Sequence, residues 1–287
     1  MLLTLSTACV RDLVMPKGRR KPEIQLLDLP AYANEQLGLH GLVVTTDLLK
    51  GADRARVEAL RERADKAGCA CLVLVESDPQ PLADPNDDKG EKAIERTEKV
   101  ISAAAILGCN AAAIEISGPD REDTFELAID RLQIAVERAE KLEMNLLISP
   151  GPGLTADAER VTELIKRVAR FRVMTYPDFQ KAAESGDPVS YLRRLTPYAG
   201  AVCASTVEFA PEKEPDGGAD DLLAALEGLD DPEHSAYDLN PMIEAVRAVG
   251  FDGSVALDYR GEGDVTLGLL KSRAAVEAAL VAAEEQG

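Results

Sequence analysis

Tryptophan is absent from this chain, and the aromatic residues together make up only 4% of its 287 residues. The core therefore has to be built mostly from Ala, Val, Leu and Ile. Histidine is almost as scarce: His40 and His234 are the only two. A zinc centre needs several His or Cys ligands, so no tight zinc site is expected. The cysteines, Cys9, Cys69, Cys71, Cys109 and Cys203, are odd in number. The pair Cys69-x-Cys71 is one residue tighter than the spacing of zinc-binding pairs. Most lie in or beside apolar stretches, which points to buried free thiols in a reducing, cytoplasmic setting. Positive charge is also short, with 32 Lys and Arg against 51 Asp and Glu and a net charge of −19. Such a surface repels phosphate backbones and argues against a nucleic-acid partner. The one basic cluster, Lys17-Gly-Arg-Arg-Lys21, is short, sits in an early loop and reads as a solvated turn. Long hydrophobic runs are missing too. The apolar start turns polar at Arg11 and Asp12 and lacks a basic lead, so neither a signal peptide nor a membrane span is expected there. No G-x-G-x-x-G or phosphate-binding loop follows any predicted strand, which weakens a nucleotide reading.

What is present is a regular alternation of short apolar runs and amphipathic stretches. Residues 2–6, 41–46, 71–75, 111–116, 145–148, 171–175, 201–206 and 254–259 read as strands. The run 71–75 is apolar throughout, as expected of a strand buried on both faces of a parallel sheet. Helices are expected over 53–67, 89–107, 121–142, 155–169, 188–195, 239–249 and 267–285, with Gly68, Gly108 and Gly250 as terminators. Pro30 suits the first turn of a helix entering near residue 26. The cap of the 155–169 helix is either Thr155 or Asp157. About eight strands alternating with helices predict a parallel sheet, and the count favours a closed (β/α)₈ barrel spanning residues 1–287 as one domain. An acidic segment at 211–238, with a short helix at 222–229 and a Gly217-Gly218 hinge, is expected to form a lid over the barrel mouth or a subunit contact. A homo-oligomer is left open.

In such a barrel the chemistry sits where the strands end. The predicted sixth strand stops at Pro177, which has no N–H to give a ladder, and Asp178 follows it. Taken in order, the ends present Ser6 and Thr7, then Thr45, Thr46 and Asp47, then Glu76 and Asp78. Glu115 and Ser117 follow, then Ser149, then Tyr176 and Asp178, then Ser205 and Glu208, and last Asp258, Tyr259 and Arg260. The set is acidic and hydroxylic, fit for hydrogen-bonding a small polyol or sugar and for holding a hard cation such as Mg²⁺ or Mn²⁺. Glu76 and Asp78 begin a polar loop and read as solvated. His40 reads as a boundary residue on the opposite end, and His234 as a solvated loop residue. Glu115 faces away from Ile114 and Ile116; if that face is the barrel interior, it needs a partner or a function. For Asp178 the bland alternative is a cap on the following turn, and for Asp258 a pair with Arg260.

Three stretches carry a resemblance to a known family. They are the segment Glu98 to Gly108, the Tyr176-Pro-Asp-Phe179 turn, and Gly250-Phe-Asp-Gly-Ser-Val-Ala-Leu-Asp-Tyr259. Together they resemble the xylose isomerase-like TIM-barrel superfamily of sugar-phosphate isomerases and epimerases. The resemblance implies one divalent metal held by a Glu, an Asp, a His and a Glu from strands 5 to 8. Here the Asp matches as Asp178, and the last Glu is shortened to Asp258. The strand-5 Glu falls on Ser149, and the strand-7 His-x-Lys pattern on Cys203-Ala204-Ser205. It therefore implies a degraded site, with Asp178 and Asp258 as weak Mg²⁺ or Mn²⁺ ligands if a metal binds. The functional expectation is a divergent sugar isomerase or epimerase working by proton transfer next to a carbonyl. Asp258 and Asp178 would be catalytic, with Glu115, Ser149, Tyr176, Ser205, Tyr259 and Arg260 around the substrate. Arg260 or Arg172 would supply the cation that steadies an enediolate. The alternative is a barrel that has lost catalysis and binds carbohydrate or a partner protein.

Overall fold

Seven of the eight repeats begin as a five- or six-residue apolar strand and one as a three-residue strand, and each strand gives way to a polar turn. The computed structural model describes residues 1–15, 18, 21–210 and 232–285. The chain runs β1 (Leu2–Ser6), α1 (Arg11–Val14), α2 (Leu29–Leu37), β2 (Gly41–Thr45), α3 (Arg54–Lys66), β3 (Ala70–Val75), α4 (Asp87–Leu107), β4 (Ala111–Glu115) and α5 (Glu122–Lys141). It continues as β5 (Asn145–Ser149), α6 (Ala158–Val168), β6 (Val173–Thr175), α7 (Phe179–Glu184), α8 (Pro188–Leu195), β7 (Ala201–Thr206), α9 (Leu239–Ala248), β8 (Ser254–Tyr259) and α10 (Val265–Glu285). The helix starts follow the capping rule that a short acceptor side chain satisfies the first free N–H groups. Asp53, Asn86, Asp157, Asp178 and Asp238 each accept from a backbone N–H of the helix they precede. Asp157, not Thr155, is thus the cap of α6. Pro30 lies in the first turn of α2, as expected.

All eight strands are parallel, in the order β6-β5-β4-β3-β2-β1-β8-β7. Between the two ends of this order the barrel closes by isolated bridges, Thr175 with Ala199 and Asp178 with Cys203. The N–H of Gly200 donates to the Thr175 carbonyl at 3.1 Å, and that of Cys203 to the Pro177 carbonyl at 2.8 Å. The seam of the (β/α)₈ barrel therefore runs past Asp178. β6 is shorter than the sequence suggests, because residues 170–173 turn: Val173 N–H donates to the Arg170 carbonyl at 3.1 Å. Phe171, expected at the strand's start, is 92% exposed.

Strand side chains alternate between faces, and here the outward set packs under the helices while the inward set fills the barrel. Leu5, Val44, Leu74, Ile114, Ile148 and Leu257 belong to the large layer between sheet and helices. Val43, Val73, Ala111, Ala113, Leu147, Tyr176, Ala201, Cys203 and Ala256 form the inner core. Alanines are common in that inner set, so the barrel is filled with little bulk, which is where the scarcity of aromatics is felt. The proposed lid over 211–238 lies largely outside the described residues, as does most of the Lys17–Lys21 cluster. The cysteines are free, four of them buried and Cys9 half-buried.

Candidate functional site

Continuing the inward face one step beyond the inner core gives the residues at the barrel mouth. Ala111 and Ala113 point inward on β4, so Glu115 does as well; Leu147 leads to Ser149 on β5, Val43 to Thr45, Val73 to Val75, and Ala256 to Asp258 on β8. These side chains line one cavity of about 210 Å³ together with Ser6, Ala8, Pro150, Tyr176, Asp178, Lys181, Cys203 and Arg260. The volume is below the roughly 300–1,000 Å³ of drug-sized sites, so an occupant has to be small.

Part of the cavity lining is an ion cluster. The Arg260 guanidinium reaches Asp258 Oδ2 from Nε and Nη2, both at 2.8 Å. Its Nη2 donates to Asp178 Oδ2 at 2.5 Å, and its Nη1 to Asp178 Oδ1 at 3.2 Å and to Gln180 Oε1 at 2.8 Å. Asp178 Oδ1 also accepts from Ser205 Oγ at 3.0 Å and from the Lys181 N–H at 3.1 Å, the latter as the cap of α7. Ser205 Oγ in turn accepts from the Gln180 N–H at 2.8 Å, and Tyr237 Oη donates to the Ser205 carbonyl at 2.6 Å. The Arg260 backbone is fixed as well, its N–H donating to the Thr206 carbonyl at 2.7 Å. Both bland alternatives for the two aspartates are thus realised within one cluster: Asp178 caps a helix, and Asp258 pairs with Arg260.

Two buried polar atoms at this mouth have no hydrogen-bond partner: Ser149 Oγ and Asp258 Oδ1. Unmet buried acceptors are costly, and natural proteins keep them where a ligand or water completes them. Ser6 favours the charged form of Asp258, but its hydroxyl makes no hydrogen bond to Oδ1. Burial pushes the Asp258 carboxyl above its ordinary range; Arg260 opposes the rise and Asp178 adds to it. Burial also raises the Glu115 carboxyl, with Lys181 opposing. Among the described residues, no hydrogen bond or ion pair is formed to the Glu115 carboxyl group, although its backbone carbonyl accepts from the Gln80 N–H at 2.7 Å. A glycine packs against its carboxyl group instead: a Cβ on Gly151 would come within 2.3 Å of Glu115 Cδ. The Cys203 thiol is pushed well above its ordinary value by burial and then by Asp178 and Asp258. It is therefore a neutral thiol at ordinary pH. Burial alone would lower the Arg260 guanidinium, but its anionic surroundings outweigh that and hold it protonated. With Cys203 neutral, the anions responsible are Asp178 and Asp258.

Of the residues the sequence singles out, Glu115, Ser149, Tyr176, Asp178, Asp258 and Arg260 share this cavity. Ser205 is fully buried behind Asp178 and supports it. Tyr259 points elsewhere: its hydroxyl donates to the Glu262 carbonyl at 2.8 Å, and its ring stacks on Phe209. Arg172 stands at the other end of the sheet, against Asn145 at the start of β5. Glu76 is not solvated; it is buried and ion-paired with Arg96 at 2.7 Å, one element away on α4. His234 is also not a solvated loop residue. It is 8% exposed, its Nε2 accepts from the Val207 N–H at 3.0 Å, and its ring stands 4.3 Å from that of Tyr237. Lys181 was missed. Its signal was its place three residues after Asp178, since a helix that begins at the barrel mouth returns that residue to the same end. It also pairs with Glu184 at 2.8 Å, which leaves N–H groups for another partner.

The donor set fits a divalent cation poorly. Mg²⁺ and Mn²⁺ take six or so oxygen ligands. Here three of the four oxygens of Asp178 and Asp258 are engaged by Arg260, Ser149 is neutral, and Cys203 is a protonated thiol. Among the described residues, no group of three or more His, Cys, Asp and Glu side chains is arranged to hold a metal. No helix among them is long and apolar enough to cross a membrane.

Residues 32–283 match the family model described as xylose isomerase-like TIM barrel. Among solved structures, the fold is similar to an L-ribulose 3-epimerase, with a TM-score of 0.76 at 13% identity over 100% of this chain and 97% of that one. It is similar to the IOLI protein, solved with a bound zinc atom, at a TM-score of 0.71 and 15% identity over 98% and 99% of the two chains. A probable 3-DHS dehydratase, AsbF of Bacillus anthracis, gives 0.70 at 17% identity over 95% and 98%. At these identities the likeness is one of fold. No curated protein matches the chain in sequence.

Proposed function

The chain belongs to the xylose isomerase-like TIM-barrel family, and from that premise we propose that it moves a proton next to the carbonyl of a small polyhydroxylated compound, as a divergent sugar isomerase or epimerase. The observation that carries this reading is the pair of carboxyl groups, Asp258 and Glu115, raised by burial and facing one small cavity. Carboxyls tuned upward in a shared cleft are what acid–base work near neutral pH needs. Asp258 Oδ1, buried and unpartnered, is the base. It takes the proton from the carbon beside the carbonyl, and the electron pair moves onto the carbonyl oxygen. Glu115 is the proton donor on the other side of the cavity. Lys181, which has N–H groups to spare, steadies the developing oxyanion. Ser149, Ser6 and Thr45 accept or donate hydrogen bonds to the substrate hydroxyls. Asp178 does not touch the reacting atoms in this scheme; it fixes Arg260 and α7, and through α7 the position of Lys181.

Binding without turnover is the second reading, and one observation favours it. The N–H groups of Arg260 are taken by Asp258, Asp178, Gln180 and the Cys203 sulfur, so the strongest local cation has none free for an enediolate. The two readings part in one experiment. Chelator-treated protein is incubated with ketoses of three to six carbons, with and without phosphate, and product is followed by NMR. Turnover lost in both Asp258→Asn and Lys181→Met supports the proton-transfer reading. Saturable binding with no product from any ketose supports the second.

A further inference from the structure

The two aspartates that the family resemblance casts as metal ligands are already satisfied by a cation of the chain's own. We infer that Arg260 is a built-in replacement for the divalent ion, a positioning residue that ties β6 to β8 across the barrel seam and keeps the carboxylate pair closed to metal. The inference rests on the location of the proposed site but not on the proposed reaction.

Four observations converge on it. The guanidinium bridges the two carboxylates bidentately, with contacts of 2.5, 2.8 and 3.2 Å, a geometry that suits Arg and not a compact ammonium. It sits where strand pairing is weakest, since β6 and β7 join only through isolated bridges, one of them Asp178 with Cys203. Its backbone is held in the β7–β8 edge by the Thr206 carbonyl, so the side chain is preplaced and does not swing in from a loop. The neighbouring side chains are weak donors for a hard cation: Ser149 offers a neutral hydroxyl, and the buried Cys203 sulfur lies against Arg260 Nη2 at 3.7 Å. A divalent ion entering here would have to displace a guanidinium from two carboxylates, and the cavity's other carboxyl, Glu115, is not grouped with them in a three-ligand arrangement.

The test is Mn²⁺ binding, read from the loss of the free-ion EPR signal in chelator-treated protein with no substrate present. The wild-type chain is expected to take up no Mn²⁺ below about 1 mM, the weak limit of protein sites for hard cations. Arg260→Ala frees the carboxylate pair and is expected to gain Mn²⁺ affinity by about tenfold or more, and the further change Asp178→Asn should remove that gain. Because unpaired aspartates weaken the fold, Arg260→Gln is measured alongside; it keeps a hydrogen bond but removes the charge, and should gain affinity in the same direction. Two results overturn the inference. One is stoichiometric micromolar Mn²⁺ uptake by the wild type that Asp178→Asn abolishes. The other is a cooperatively folded Arg260 variant with no gain. Neither depends on turnover, so failure here and failure of the proton-transfer reading are told apart.

Discussion

Asp178 combines two jobs that a pair of substitutions can separate. Its Oδ1 accepts from the Lys181 N–H as a helix cap and from Ser205 Oγ, and both oxygens accept from Arg260. Asparagine is nearly as good a cap as aspartate, so Asp178→Asn keeps the first role while it removes the charge that pairs with Arg260 and puts an amide NH₂ where Oδ2 accepts from Nη2. Breaking a fully buried pair costs about 3–5 kcal/mol. The Arg260 side chain is one-third exposed, so water screens part of that loss and about 2 kcal/mol is expected for Asp178→Asn. Asp178→Ala also loses the cap, at about 1 kcal/mol, and leaves the buried Ser205 O–H without an acceptor, although its oxygen still accepts from the Gln180 N–H, at about 1 kcal/mol more. The alanine variant should therefore sit about 2 kcal/mol below the asparagine variant in urea unfolding at neutral pH. An asparagine variant as stable as wild type would refute the ion-pair half of this reasoning. Two variants of equal stability would refute the capping half.

Further expectations follow from the same geometry. Glu115 is raised by burial and its protonated form is favoured on folding, so the unfolded chain releases that proton first. Its contribution to stability is therefore lost as pH rises from the ordinary glutamate value through the raised folded one. Glu115→Gln should consequently melt higher than wild type at pH 7, with the difference vanishing below the unfolded pKa near 4, while activity falls; an equal melting shift at both pH values would contradict this. Gly151→Ala should displace the Glu115 carboxyl group, which the new methyl would meet at 2.3 Å, and lower turnover without unfolding the barrel. A fully active Gly151→Ala would mean that Glu115 has room to move without consequence. With Asp258 as the base, kcat/KM should rise with pH through the raised Asp258 pKa, the titratable groups facing it being Arg260, Asp178, Cys9, Cys203 and Tyr176. A flat profile in that range would remove Asp258 from the role.

The barrel was legible in the sequence because strand and helix periods alternate with little interruption, and because glycines and capping aspartates mark the ends. The same period of two carried Glu115, Ser149 and Asp258 to the inward face. What the sequence did not show were contacts between distant elements. Glu76 reads as the start of a polar loop until Arg96 arrives from α4, twenty residues on. His234 reads as loop until Val207 and Tyr237 close around it. Arg260 was named as a cation for the substrate, but its commitment to Asp178, 82 residues away, depends on the barrel closing at the β6–β7 seam. Lys181 was missed because a lysine one turn into a helix looks solvated when the helix's place at the mouth is not yet known.

The most direct measurement is solvent deuterium wash-in. Chelator-treated protein is held in D₂O with ketoses and ketose phosphates, and loss of the proton signal beside the carbonyl is followed by NMR. The expected result is exchange into at least one compound without added metal, reduced by about 10²–10⁴ in Asp258→Asn, the usual worth of a positioned base. Exchange that Asp258→Asn leaves untouched, or saturable binding of a ketose with no exchange at all, would contradict proton transfer by this site.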